Sequence, residues 1–210
     1  MSGSRLRVAV LDYGAANMVS ISQALVSAGA DAIVAAGPAD LAGADALVVP
    51  GVGAAAPAMV HLREQGLLEP LRDWVGAGRP CLGICLGLQL LFDGSDEDGA
   101  ETLGILPGRT VRLERAPTLP HIGWNQVVRR RDHLAFDGIA QGADLYFVHS
   151  YVASPSADDG AALADTDHGS SFVSAVARGR LLGVQFHPER SGTDGLRLLR
   201  NVVDLARAAA

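Results

Sequence analysis

Length, composition and charge place this chain among single-domain globular proteins. Its 210 residues are 49% hydrophobic and 19% charged, enough apolar material for one sizeable core. The formal net charge is −6, and the one basic run, at 129–131, is followed directly by Asp132. We interpret that run as a solvated face and expect no nucleic-acid binding. The longest apolar stretch, about a dozen residues, is too short to cross a bilayer. With two cysteines and no recognisable signal peptide, the chain is expected in the reducing cytoplasm.

The first half of the chain alternates strands with helices. Near-continuous apolar runs predict four strands, at 6–12, 31–36, 44–50 and 79–84. Met18, Ile21 and Leu25 have the spacing of one helical face, and a second helical stretch is predicted over 54–75, interrupted near Gly66 and Pro70. Apolar strands that alternate with helices predict a parallel sheet covered on both faces.

After an acidic loop at 93–101, the pattern changes to short segments that alternate apolar and polar residues. Six such segments predict hairpins or a mixed sheet edge, at 109–114, 125–130, 144–154, 161–166, 171–179 and 181–187. A closing helix carries Leu196, Leu199 and Val202 on one face, and Ser191 or Thr193 is expected to cap it. The chain is therefore predicted to be an α/β protein with a central mixed, mostly parallel sheet flanked by helices.

Both cysteines lie in one short segment, Cys81 and Cys85, four residues apart. A zinc site is disfavoured because no second cysteine pair or H-x₃-H spacing accompanies them. A disulfide over four residues would be strained, and the cytoplasm would reduce it. Without further context, two buried cysteines that act as small hydrophobes are the better interpretation.

The context singles out Cys85. Gly83-Ile84-Cys85-Leu86-Gly87 reads G-x-C-x-G, after a predicted strand and before the apolar helical segment 86–92. This is the thiol version of a nucleophile elbow, in which the tight turn requires glycine on both sides. The turn places Cys85 at a helix N-terminus, where the N–H of Leu86 is a candidate oxyanion donor. A free thiol has a pKa of about 8.5 and a helix terminus adds only ~1 kcal/mol, so a base must lie nearby.

His187 is the predicted base. It ends an apolar segment and is followed by Pro188, which disfavours helix at the preceding residue, so His187 and Glu189 should project to the same side. Glu189 then orients the imidazole as the third member of a triad. The alternative is a plain turn with a surface glutamate. The remaining histidines lack a carboxylate at a comparable spacing: His61, His121, His133, His149 and His168.

At these residues the sequence resembles the class I, triad-type glutamine amidotransferases, and the resemblance covers residues 5–207 as one domain. It implies a flavodoxin-like fold and a glutaminase that releases ammonia from glutamine, with no cofactor and no metal. Its catalytic residues would be Cys85, His187 and Glu189. Leu86 would supply one oxyanion N–H and the segment Gly51, Val52 and Gly53 the second, through a peptide that the glycines allow to rotate. Substrate binding would fall to Gly87, Gln89, Ser150 and Tyr151, the last two mainly through their backbone.

Four further stretches are similar to one branch of that family, the glutaminase subunits of imidazole glycerol phosphate synthase; they lie at 12–20, 50–54, 120–125 and 146–151. The resemblance implies a heterodimer with a (β/α)₈-barrel cyclase that consumes the ammonia in histidine biosynthesis. Positions that would face the cyclase are Asn17, His121, Trp124, Asn125, Tyr146 and Arg190.

Two departures concern this expected interface. Ala16 replaces a glycine of the family pattern, and Arg190 stands where lysine is usual, which keeps the charge but changes its geometry. Three other interpretations remain: an amidotransferase subunit of the anthranilate or aminodeoxychorismate synthase type, a cysteine peptidase, and a scaffold without catalysis. The stretches at 50–54 and 120–125 argue against the first. Leu86, where such peptidases carry their base, argues against the second.

Overall fold

The fold is built on a twelve-stranded mixed sheet. The computed structural model describes residues 5–14, 18–156 and 160–209. The strands in this part of the chain are β1 (Arg7–Leu11), β2 (Asp31–Ala35), β3 (Ala46–Val49), β4 (Cys81–Ile84), β5 (Gly94–Ser95), β6 (Gly108–Arg112), β7 (His121–Arg129), β8 (Ala143–His149), β9 (Tyr151–Pro155), β10 (Ala162–Asp167), β11 (Ser171–Arg178) and β12 (Leu181–Val184). Its α-helices are α1 (Met18–Ser27), α2 (Ala55–Glu64), α3 (Leu68–Gly76), α4 (Leu86–Gln89) and α5 (Gly192–Arg207), with 3₁₀ turns at Pro38–Leu41, Leu134–Phe136 and Pro188–Arg190.

The sheet has a parallel half and an antiparallel half. The main path runs β2-β1-β3-β4-β12-β11-β10-β7-β8. Neighbours from β2 to β12 are parallel, and neighbours from β12 to β8 are antiparallel. Strand β9 pairs with β11 and β6 outside this path. The predicted fold class, an α/β unit with a mixed sheet between helices, is confirmed.

The parallel strands are apolar on both faces because both faces are covered. Along β1, Val8 and Val10 join the hydrophobic cluster that contains α1 and α5, whereas Ala9 and Leu11 join the cluster that contains α2 and α3. Successive side chains of a strand point to opposite faces, so a strand between two helical layers needs a continuous apolar run. This pattern is what the sequence of the first half predicts.

The predicted interruption of the helical stretch 54–75 near Gly66 is observed, between α2 and α3, but Pro70 lies inside α3. Three other predicted elements differ from the structure. The elbow helix is a single turn, α4. The segment 144–154 is divided at Ser150 into β8 and β9. Ser191 precedes α5 but makes no side-chain cap, because its hydroxyl donates instead to the carbonyl of His187 at 2.6 Å.

No helix of the described residues is long and apolar enough to cross a membrane. The predicted partner residue Asn17 and the departure at Ala16 lie outside the described residues.

Candidate active site

Cys85 occupies a strained turn between β4 and α4. Its backbone has φ 52° and ψ −108°, in the half of conformational space that non-glycine residues rarely adopt. The flanking glycines make this turn possible: a Cβ at Gly83 would come within 2.8 Å of the Gly87 carbonyl, and one at Gly87 would overlap the Val49 carbonyl. Because α4 is only one turn long, its dipole gives little support to a thiolate. Neighbouring side chains must therefore supply most of that support.

His187 and Glu189 form a buried pair. Nδ1 of His187 lies 2.8 Å from Oε1 of Glu189, and the two side chains are 4% and 8% exposed. His187 is extended (φ −100°, ψ 95°) ahead of Pro188, as predicted. Its backbone N–H donates to the carbonyl of Tyr146 at 2.8 Å. Because Nδ1–H donates to Glu189, Nε2 is the ring nitrogen that can exchange a proton with another group.

The surroundings of His187 favour its charged form. Burial lowers the pKa of His187, but the Cys85 side chain and the Glu189 carboxylate raise it by more, to about 10. Nε2 is buried and makes no hydrogen bond of ordinary geometry to the described residues. A cationic imidazolium that faces the sulfur and is anchored by a carboxylate is the arrangement that nucleophilic thiol chemistry requires.

Cys81 has a different environment. It opens β4, packs in the cluster with α2 and α3, and is a free thiol like Cys85. Burial raises the pKa of Cys81 to about 12. A neutral thiol enclosed by aliphatic side chains acts as a small hydrophobe.

The segment predicted to supply the second oxyanion donor lies directly beside Leu86. The N–H of Leu86 donates to the carbonyl of Gly51 at 3.3 Å. The buried Tyr13 hydroxyl donates to the carbonyl of Pro50, and a Cβ at Gly51 would meet Leu86 Cβ at 2.9 Å. Gly53 has φ +99°. In this arrangement a carbonyl, not an N–H, faces the position beside Leu86.

The predicted substrate residues are joined by side-chain hydrogen bonds. Nε2 of Gln89 donates to the carbonyl of Tyr151 at 2.9 Å and to Oε1 of Gln185 at 3.2 Å. Nε2 of Gln185 donates to Sγ of Cys85 at 3.5 Å. The carbonyl of Ser150 accepts from the N–H of Leu113 at 3.0 Å. The contact of Gln185 with the sulfur was not predicted. The available signal was a lone amide inside the apolar run 181–186.

A histidine pair lies behind this group. Nδ1 of His121 is 3.0 Å from Nε2 of His149, and Nδ1 of His149 is 3.0 Å from the carbonyl of Tyr151. Burial, with His168 nearby, lowers the pKa of His121 to about 4. Burial, with His121 nearby, lowers the pKa of His149 to about 3. Both rings are therefore neutral at pH 7. The described residues contain no group of three or more side chains arranged to hold a metal ion.

The predicted partner residues divide between surface and interior. Trp124 is 57% exposed, and its ring meets that of Tyr146 at a centroid distance of 6.0 Å. The Arg190 guanidinium lies over the Tyr146 ring at 4.1 Å. His121 is a correction: it is 3% exposed and lies beneath this surface, because its alternation along β7 places it on the opposite side from Ile122 and Trp124. Asn125, partly buried, donates from Nδ2 to His121 Nε2 at 3.1 Å.

A cavity of about 360 Å³ adjoins the predicted catalytic residues. Its lining includes Gly51, Val52, His187, Glu189 and Arg190. It therefore connects the region of the triad with the surface that carries Arg190.

Comparison with known proteins identifies the family of this chain. Residues 9–205 match the family of class-I glutamine amidotransferases. The chain is 47% identical over 196 residues to the imidazole glycerol phosphate synthase subunit HisH of Symbiobacterium thermophilum, covering 93% of this chain and 92% of that protein. It is 43% identical over 200 residues to HisH of Dehalococcoides mccartyi, covering 95% and 97%. The solved structure of PurLQS from Thermotoga maritima, at 19% identity, has the same fold, with a TM-score of 0.78 over 96% of this chain and 99% of that one. The chain therefore belongs to the class-I glutamine amidotransferase family, among the HisH subunits of imidazole glycerol phosphate synthase.

Proposed function

We propose that this chain hydrolyses glutamine to glutamate and ammonia, with Cys85, His187 and Glu189 as its catalytic residues in a domain that spans residues 5–207. The observation that carries the proposal is the position of His187. Nδ1 of His187 lies 2.8 Å from the Glu189 carboxylate. Nε2 is buried without an ordinary hydrogen-bond partner among the described residues, and the Cys85 side chain raises the pKa of the imidazole. Relatives named as HisH subunits support the same assignment.

The reaction follows from that geometry. The Cys85 thiolate attacks the side-chain amide carbon of glutamine, and the His187 imidazolium gives its proton to the leaving nitrogen as the C–N bond breaks. Ammonia leaves and a thioester remains. His187, now neutral, takes a proton from water, which attacks the thioester and releases glutamate and the Cys85 sulfur. Glu189 keeps Nδ1 protonated and Nε2 available in both steps.

The negative oxygen of each tetrahedral intermediate needs two N–H donors. We assign these to Leu86 and to the peptide between Gly51 and Val52. That peptide must rotate, because the Gly51 carbonyl now accepts from Leu86. Gly53 gives the segment the freedom to do so. Gly87, Gln89, Ser150 and Tyr151 are assigned to holding the amino-acid end of glutamine.

The ammonia is passed to a (β/α)₈-barrel cyclase subunit, which makes imidazole glycerol phosphate and aminoimidazole carboxamide ribonucleotide in histidine biosynthesis. The exposed Trp124 and Arg190 and the half-buried Tyr146 would bind that partner, together with Asn125 and Asn17. A surface that combines an aromatic ring pair with a stacked arginine has the composition typical of interface hot spots.

The deciding experiment measures glutamate release by the purified chain alone, with the cyclase, and with the cyclase and its nucleotide ligand. We expect little release alone and a large rise in the complex. Cys85→Ala should abolish glutamine-driven synthesis and leave synthesis from added ammonium salt intact. Glutamine-driven synthesis that survives in Cys85→Ala would refute the catalytic assignment. No glutamate release by the unaltered chain under any condition would favour the scaffold interpretation.

A further inference from the structure

We propose that Gln185 is a positioning residue for the nucleophile: its amide N–H is held on the Cys85 sulfur by a buried hydrogen-bond chain that begins at Asn125. The inference rests on the proposed function, since it concerns the same sulfur. Gln185 is fully buried, in the run of residues between β12 and His187. Burying an amide is costly unless it makes hydrogen bonds, and both ends of this amide do so.

The orientation of the Gln185 amide is set by Gln89. Nε2 of Gln89 donates to Oε1 of Gln185 at 3.2 Å, so the oxygen end of Gln185 is committed to that contact. Its nitrogen end must then face the opposite way, and it lies 3.5 Å from Sγ of Cys85. Gln89 is 5% exposed and Gln185 0%, so little water competes for either group. The result is a fixed donor aimed at the sulfur.

Gln89 is in turn fixed by the histidine pair. Its amide also donates to the Tyr151 carbonyl at 2.9 Å, which accepts a second bond from Nδ1–H of His149 at 3.0 Å. Nε2 of His149 must therefore accept, and Nδ1–H of His121 donates to it at 3.0 Å. Nε2 of His121 accepts from the amide of Asn125 at 3.1 Å. Each donor and acceptor in this series has one consistent assignment with both rings neutral.

The chemical consequence concerns the two protonation states of the sulfur. As a thiol, Cys85 can donate from Sγ to the Val148 carbonyl at 3.8 Å, a contact that favours the protonated form. The N–H of Gln185 is a donor, and a donor to sulfur favours the thiolate, because hydrogen bonds to charged acceptors are the stronger ones. Gln185 thus acts together with His187 on the sulfur without touching the substrate. Its removal should slow thiolate formation in the free protein, before any substrate binds.

The test follows alkylation of Cys85 by iodoacetamide between pH 5 and 10 in the full-length chain, with peptide fragmentation assigning each adduct to Cys85 or Cys81. Gln185→Met removes the donor at similar volume. Gln185→Glu keeps the acceptor for Gln89 and turns a carboxylate oxygen toward the sulfur. We expect the half-point of the pH profile to rise by about one unit in Gln185→Met, and the rate at neutral pH to fall about tenfold. The effect should be larger in Gln185→Glu, where a negative charge opposes the thiolate. If Gln185 served only to fill space, Gln185→Met and Gln185→Glu would give the same pH profile of Cys85 alkylation.

Two controls accompany the series. Ser174→Ala alters a fully buried polar side chain on the neighbouring strand β11, and its profile should match that of the unaltered protein. Buried Cys81 reports folding, because it becomes alkylated only when the fold opens. If neither Gln185 variant folds, His149→Phe breaks the chain farther from the sulfur, at the Tyr151 carbonyl, and should shift the profile in the same direction by a smaller amount.

Different results would refute the role of Gln185 and the proposed function. A folded Gln185→Met that alkylates at Cys85 like the unaltered protein at every pH would overturn the role of Gln185, and glutamate release by the unaltered complex would be unaffected by that result. A profile unchanged in His149→Phe would overturn the part of the chain beyond Gln89. Absence of glutamate release from the unaltered complex would instead refute the proposed function.

Discussion

The N–H of Leu86 donates to the carbonyl of Gly51 across 3.3 Å. The two residues follow neighbouring parallel strands, β4 and β3, that are paired in register through Val49 and Gly83. The N–H that we assign to the oxyanion is thereby occupied by the protein itself. Under this assignment the structure shows an unproductive arrangement, and rotation of one peptide would convert it into the arrangement that catalysis requires.

Tyr13→Phe should raise glutamate release by the isolated chain several-fold. The Tyr13 hydroxyl donates to the Pro50 carbonyl and is fully buried. Without that bond the Gly51–Gly53 segment rotates more easily, and the fold loses about 1 kcal/mol of unfolding free energy. Steady-state glutaminase assays and urea denaturation measure the two effects. An unchanged or lower rate in a folded variant would mean that Tyr13 does not restrain the segment.

Glu189→Gln should lower kcat of the complex with glutamine by at least about 100-fold, because the amide cannot stabilise the imidazolium and allows the wrong tautomer. Synthesis from ammonium salt should persist, which separates this loss from misfolding. Glu189→Asp keeps the charge but shortens the reach to Nδ1, so its kcat with glutamine should lie between those of the unaltered enzyme and Glu189→Gln. A Glu189→Gln enzyme with near-normal glutamine turnover would remove Glu189 from the triad.

Cys81→Val should leave glutamine turnover nearly intact and change the unfolding free energy by less than about 1.5 kcal/mol, as volume-conserving core substitutions do. Cys81 packs in the hydrophobic cluster that contains α2 and α3, whereas Cys85 belongs to the cluster that contains α1 and α5. The matched comparison is Cys85→Ser under the same assay. Loss of turnover in folded Cys81→Val would reverse the assignment of the two thiols.

Acid should destabilise the protein below about pH 6.5. The pKa values of His121 and His149 are lowered to about 4 and about 3 in the folded state. Between those values and the unfolded pKa, the unfolded chain binds more protons than the folded one, so stability rises with pH, by about 1.4 kcal/mol per pH unit for each histidine. Denaturant titrations from pH 4 to 7 measure this slope.

In the same titrations, His149→Gln should flatten the slope, and Ser174→Ala, which removes no titratable group, should not. A slope in His149→Gln equal to that of the unaltered protein would show that His149 titrates alike in both states.

Trp124→Ala should weaken cyclase binding roughly tenfold or more, as expected for an exposed aromatic anchor. The glutaminase rate of the isolated chain should not change, because Trp124 is exposed and is not among the residues that line the cavity beside His187. Val128→Ala, at an exposed apolar residue farther along the same strand, is the control. Titration calorimetry measures the affinity of each variant for the cyclase. Equal losses of affinity in the two variants would show that Trp124 does not lie at the centre of the interface.

The sequence contained enough to predict the parallel half of the sheet and the placement of Cys85. Near-continuous apolar strands are typical of a sheet between two helical layers, and G-x-C-x-G between a strand and a helix favours a nucleophile at its central cysteine. The bond between His187 and Glu189 was also predictable, because Pro188 restricts the backbone that joins them.

The contacts of Gln185, His149 and Tyr13 were not predictable in the same way. Each depends on residues distant in sequence: Gln185 meets Cys85 across 100 positions, and Tyr13 meets Pro50 across 37. The burial of His121 was missed because the resemblance assigns a position to the interface without giving the side on which the side chain lies. The short helix α4 was missed because the apolar run 86–92 has no internal signal for its end.

The division of the sheet into a parallel and an antiparallel half bears on how a subunit of this kind can acquire a new protein partner. Cys85, His187 and the Gly51 segment follow strands of the parallel half, whereas Trp124 and Tyr146 lie on β7 and β8 of the antiparallel half. Outward-facing side chains of β7 and β8, such as Trp124, can be replaced while inward-facing ones, such as His121, and the register that aligns the reacting groups stay fixed. A new partner surface then requires new contacts on the exposed face of these strands, and the hydrogen bonds on their buried face are kept.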